Sequence, residues 1–155
     1  MTEKTLADHP ISFRSRKNLL DAMRGEAFAY AKYKLFARQA RESGHFEVAD
    51  LFDRTADQEF FEHFAEEADL AGLVGTAEQD VNDAIAGESF EVDTMYKKFA
   101  EEALADGDHQ VAHRFEEIRR DEAEHQLAFE EALVKLQLRD RLIKAAVTDS
   151  KAHDF

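Results

Sequence analysis

Glu122 and His125 are three residues apart, so on a helix they share one face. The same face carries Val111, Phe115, Ile118, Phe129, Ala132 and Leu136, in alternating steps of four and three. That is the seam of a bundle helix. A carboxylate and an imidazole therefore stand at core positions, where a charge has to be paired, neutralised or bound to a metal. Glu-x-x-His on an inward face is one quarter of the dimetal–carboxylate arrangement built inside four-helix bundles. The other three quarters have to come from other helices.

The chain offers three more seams. A first helix over about Ser15–Ser43 aligns Leu19, Met23, Glu26, Tyr30, Tyr33, Ala37 and Ala40, and Gly44 suits its C-terminal cap. A second, about Phe46–Leu70, aligns Val48, Phe52, Thr55, Glu59 and Glu62. After Gly72-Leu73-Val74-Gly75, Thr76 and Gln79 form a capping-box pattern for a third, with Val81, Ile85, Glu88, Val92, Met95 and Phe99 on its seam. Gly107 ends it, and the helix bearing Glu122 and His125 runs from Asp108 to about Leu138. Residues 1–14 read as a tail, 15–138 as one bundle domain, and 139–155 as a second tail that loses the stripe and frays, after one more helical turn or two.

Each helix thus has one seam acid: Glu26, Glu59, Glu88 and Glu122. Glu26 lies 18 residues before Gly44 and Glu59 15 after it; Glu88 lies 19 before Gly107 and Glu122 15 after it. At ~1.5 Å per residue, antiparallel partners are level to within several ångströms. The halves also repeat. An offset of 63 pairs Tyr33 with Tyr96, Ala37 with Ala100, Gly44 with Gly107, Phe52 with Phe115 and Glu59 with Glu122, while an offset of 62 pairs Gly25-Glu26 with Gly87-Glu88. One helical hairpin, used twice, builds the domain. The extra residue falls inside the third helix, where a π-bulge would absorb it.

Four carboxylates with few nitrogens make a hard, oxygen-rich site suited to a pair of iron ions, with manganese or zinc as alternatives. Glu91, three residues after Glu88, is a further candidate ligand, or else an ordinary surface acid. On the second helix the repeat matches Glu62, not His63, to His125, and the unbroken i, i+3 spacing favours Glu62. His63 would face inward only if that helix carried a bulge. Tyr33 and Tyr96, about two turns from Glu26 and Glu88, either supply protons and orient carboxylates or simply pack.

Composition sets the bounds. There is one Pro and no Cys among 155 residues, which favours long helices and excludes disulfides, thiolate metal sites and a built-in iron–sulfur centre. The net charge of −14 argues against nucleic acid, since phosphate binding needs a basic surface. No apolar run reaches membrane-spanning length, and the first ten residues lack a signal-peptide core, so a cytoplasmic protein is expected.

Over about residues 15–138 the chain resembles the rubrerythrins. The matching segments are Gly25-Glu26 through Tyr33, Thr55-Ala56-Asp57-Gln58-Glu59, Ala86-Gly87-Glu88-x-x-Glu91 through Met95-Tyr96, and Glu122-x-x-His125. The resemblance implies a ferritin-like four-helix bundle, di-iron ligation by Glu26, Glu59, Glu88, Glu91, Glu122 and His125 with Tyr33 and Tyr96 beside them, and reduction of hydrogen peroxide. Three features depart from the family pattern. The second helix reads Glu59-Phe60-Phe61-Glu62-His63 instead of Glu-x-x-His. Without Cys there is no rubredoxin domain, so electrons are expected from an external donor protein. The link between the second and third helices is also too short to run the length of a bundle. Either those helices are antiparallel neighbours, or the helices are exchanged between two chains of a homodimer; exchange preserves the ferritin-like site. Other readings are iron oxidation and binding in the manner of a ferritin, with oxygen as oxidant, and a structural bundle without redox activity.

Overall fold

The computed structural model describes residues 11–152, with side chains described as far as Ile143. All of the regular structure among them is helical. Helix α1 spans Phe13–Glu42; Ser12 caps it by accepting from the Ser15 amide at 3.1 Å. Helix α2, Phe46–Gln58, runs on through a π turn, Glu59–Phe64, into α3, Ala65–Ala71. Helix α4, Ala77–Phe90, likewise runs on through a π turn, Glu91–Met95, into α5, Tyr96–Asp106. Helix α6 spans His109–Ala152.

The chain divides into two compact units, Met1–Val74 and Gly75–Phe155. Each is an antiparallel helical hairpin, so the all-α class and the repeated hairpin agree with the sequence pattern. The two hairpin turns are built alike. Gly44 (φ 77°) and Gly107 (φ 83°) take the left-handed conformation that closes a helix. Beyond them the His45 amide bonds the Ala40 carbonyl, and the Asp108 amide bonds the Ala103 carbonyl, each at 2.8 Å.

Alanines line the contact between the helices of each hairpin. Ala37, Ala49 and Ala56 are buried in the first, and Ala100, Ala103 and Ala112 in the second. Small side chains let the backbones approach closely, so the large ones flank the contact and stay partly open. In the first hairpin Met23 packs with Ala68, Ala71, Leu19 and Phe64. Above it Tyr33, Phe36 and Phe52 form an aromatic cluster, mirrored in the second hairpin by Tyr96, Phe99 and Phe115. Phe28, Phe46 and Phe61 are nonetheless about two-thirds exposed.

Two boundaries differ from the sequence expectation. Helix α6 does not stop near Leu138 but continues to Ala152. No Gly or Pro occurs after Gly107, so nothing in the backbone interrupts the helix when the apolar stripe fades. At the other end the helix begins at Phe13, so the expected tail over 1–14 is shorter by two residues, and its first ten residues lie outside the described part. The π-bulge expected in the third helix is present at Glu91–Met95, where the repeat offset changes from 62 to 63.

Candidate metal centre

Each hairpin turns two glutamates and one histidine toward a common point. In the first these are Glu26 of α1 and Glu59 and His63 of the π turn; in the second, Glu88 of α4 and Glu122 and His125 of α6. Within each trio the ligand atoms lie within 4.8 Å of one another. The internal geometry nearly repeats. His63 Nδ1 is 2.8 Å from Glu59 Oε2 and 3.8 Å from Glu26 Oε2. His125 Nδ1 is 2.7 Å from Glu122 Oε2 and 3.9 Å from Glu88 Oε2. The carboxylates are largely shielded, whereas about half of each imidazole is exposed.

The second helix does not keep the i, i+3 spacing expected of it. The π turn over Glu59–Phe64 inserts one residue and rotates the remainder of the helix, so His63 joins Glu59 and Glu26. Glu62 is exposed and outside the trio, accepting from Gln58 Nε2 at 3.2 Å. The signal was in the sequence. His63 pairs with His125 at an offset of 62, which is one residue less than Glu59 to Glu122.

Pressing two carboxylates together without a cation has an electrostatic consequence. Glu26 is raised above its ordinary pKa, first by a hydrogen bond shared with Glu59, then by burial and the Glu59 charge. Glu88 is raised as well, first by burial and then by Glu122. His63 is raised by its hydrogen bond to Glu59. Each pair therefore favours holding a proton, which a divalent cation would replace. Two carboxylates and an imidazole in reach of one point are a fitting donor set for such an ion.

Glu91 opens the second π turn, half-buried and outside the trio, but its negative charge helps to raise both Glu88 and Tyr96. Burial is the main cause that lifts Tyr96, whose ring lies 6.0 Å from Phe115. Tyr33 packs on Phe52 at 5.7 Å. One contact near this site was not legible in the pattern: Arg119, three residues before Glu122, donates Nε–H to the Val92 carbonyl at 2.7 Å.

Comparison with known proteins shows the family. A family model described as rubrerythrin matches residues 17–133. The rubrerythrin of Porphyromonas gingivalis is 35% identical over 126 residues, covering 73% of this chain and 62% of that protein. The rubrerythrin of Nitratidesulfovibrio vulgaris is 34% identical over 129 residues, covering 75% and 67%. Nigerythrin from the latter organism is 32% identical over 122 residues, covering 70% and 60%. The chain thus spans about three-fifths to two-thirds of the length of these relatives.

Proposed function

This chain belongs to the rubrerythrin family, and from that membership we propose that it is a di-iron protein that reduces hydrogen peroxide with electrons from a separate donor protein. The observation that carries the reading is the Glu–Glu–His trio, built twice by a repeated hairpin. The proposed ligands are Glu26, Glu59 and His63 from the first unit, and Glu88, Glu91, Glu122 and His125 from the second. His63 takes the place for which sequence spacing favoured Glu62. Manganese or zinc would fit the same donors.

Two bound irons would supply the two electrons consumed when peroxide goes to water. The chain's own residues have the remaining work. Glu59 and Glu122 orient their histidines so that Nδ1 faces both carboxylates of its trio, the nitrogen that would meet an ion held there. The Glu26–Glu59 and Glu88–Glu122 pairs, which share a proton when metal-free, would give it up to bind the ions. Tyr96 keeps its phenol proton, since burial and the charges of Glu91, Glu122 and Glu88 disfavour the phenolate, and can donate it through hydrogen bonds. Tyr33, at the repeat-related position, is assigned the corresponding role on the first hairpin.

We also propose that the complete centre forms between two copies of the chain. The second helix, Phe46–Ala71, is about 39 Å long at ~1.5 Å per residue. Residues 72–76 can span only about 20 Å, short of the crossover a ferritin-like bundle needs within one chain. Exchange of hairpins in a homodimer removes that requirement. No described helix is long and apolar enough to cross a membrane, and we assign the protein to the cytoplasm.

The test is anaerobic loading with Fe(II), elemental analysis, then stopped-flow mixing with peroxide or with oxygen. Two irons per centre, oxidised faster by peroxide and recycled by a reductant, support the proposal. Faster oxidation by oxygen with retention of many irons would favour a ferritin-like role, and failure to bind iron would leave a structural bundle.

A further inference from the structure

Because the hairpin is used twice, each half is an internal control for the other. Glu88 answers to Glu26, Glu122 to Glu59 and His125 to His63. Close to these ligands, two linked positions differ in kind. Glu91 stands where the first hairpin has Ala29, at an offset of 62, and Arg119 stands where it has Ala56, at an offset of 63.

The backbone differs at the same place. Helix α1 is α-helical throughout Phe13–Glu42, whereas its counterpart turns π at Glu91–Met95. Ala56 is fully buried in the first hairpin. Arg119 is too large for that role; it remains one-third exposed and donates Nε–H to the Val92 carbonyl at 2.7 Å, with Nη1 3.5 Å from Glu116. A π turn is rare and costs helical hydrogen-bond geometry, so it persists where surrounding structure holds it. A guanidinium on one of its carbonyls is a charge-assisted bond that does so.

We propose that Arg119 is a positioning residue that clamps the π turn through Val92 and so presents Glu91 beside Glu88, at a position where the first hairpin has Ala29. The inference rests on the reading of Glu91 as a metal ligand. It makes the two metal positions inequivalent at this point of the repeat, and it assigns that inequivalence to a residue that touches no metal. Lengthening helix α4–α5 by one residue, adding Glu91 and replacing the counterpart of Ala56 by Arg119 act as one device.

The test uses the full chain, as apoprotein and after anaerobic Fe(II) loading. Amide exchange over residues 92–97 reads the clamp, and iron content with Mössbauer spectra reads its consequence. Arg119→Ala should speed exchange there by tenfold or more, lower iron content, and alter one of the two ferrous signals. Arg119→Lys, which still donates to a carbonyl, should restore part of each. Adding Arg119→Ala to Glu91→Gln should leave the iron signals as Glu91→Gln alone leaves them. Should Arg119→Ala not fold, Arg119→Gln keeps the volume with a weaker donor and should show the same faster exchange. Wild-type exchange and spectra in these variants would overturn the proposal. If the wild type binds no iron, the di-iron reading fails, while the exchange measurements still decide whether Arg119 holds the turn.

Discussion

The His63 ring reaches within 2.8 Å of Glu59, four residues earlier, to make the contact that His125 makes with Glu122, three residues earlier. The π turn between Glu59 and Phe64 takes up the difference. His63→Ala should therefore lower iron loading by at least about tenfold in affinity, as loss of a ligand would, while Glu62→Ala changes it little. Equilibrium competition with a chelator measures both. Equal losses for the two variants would show that the register of this helix is not the one described.

The raised acids set a pH dependence for the apoprotein. Glu26 and Glu88 titrate above their ordinary 4.5, so the folded state favours their protonated forms. Their contribution is complete below that value and is lost as pH rises through the raised ones. His63, raised above 6.5 by Glu59, also contributes fully below that value and fades above it. Asp21, lowered by Lys17, and Asp53, lowered by Arg41, act oppositely, losing their contribution as pH falls from 3.8. Metal-free protein should thus melt highest in mild acid and lose stability between about pH 5 and pH 8. A bound divalent ion should flatten that slope. A melting temperature of the apoprotein that climbs over this range would contradict the account.

Glu26→Gln and Glu88→Gln should separate stability from function. Each removes one charge from a crowded pair, so the apoprotein should melt higher, by about 2–5 °C. Each also removes a ligand, so metal loading should no longer stabilise the protein as it does the wild type. Calorimetry with and without Fe(II) or Zn(II) gives both numbers. Apoprotein destabilised by the substitutions would mean that these acids are satisfied core groups.

Tyr96→Phe keeps the ring packing against Phe99 and Phe115 and deletes only the hydroxyl. Iron content should be unchanged while peroxide-driven oxidation slows on the order of 10²-fold, the usual range for a positioned proton donor. An unchanged rate would reduce Tyr96 to packing.

Hairpin exchange can be tested by complementation. One chain carries Glu26→Ala and Glu59→Ala, the other Glu88→Ala and Glu122→Ala. Neither should bind iron alone. Refolded together, an exchanged dimer unites the two intact hairpins at one centre and restores up to half of the wild-type iron. Any arrangement in which each centre draws both hairpins from a single chain restores none.

Much of this was legible in the residues because seams and breakers act locally. Four-three stepping placed the seam acids, and Gly44 and Gly107 fixed the two hairpin turns. The shift in repeat offset put an extra residue inside the third helix, and the π turn at Glu91–Met95 holds it. The second helix was harder, since i+3 and i+4 both point inward on an α-helix and the offset of 62 between His63 and His125 is a single pair set against the unbroken i, i+3 spacing of Glu62. Arg119 was invisible for another reason. Its partner is a carbonyl, and main-chain acceptors leave no mark on side-chain spacing. The end of α6 was not legible because a fading stripe marks where packing stops, and with no Gly or Pro beyond Gly107 the helix runs on.

The alanine contact inside each hairpin has a consequence for how the protein holds together. Helices joined through Ala37, Ala49 and Ala56, or through Ala100, Ala103 and Ala112, gain little from drying so small a seam. Under the proposed exchange, the larger greasy surfaces would be covered by a second copy of the chain. Folding and assembly then merge into a single mass-action equilibrium. Dilution alone should unravel the chain, and its melting point should drift upward with every tenfold rise in concentration.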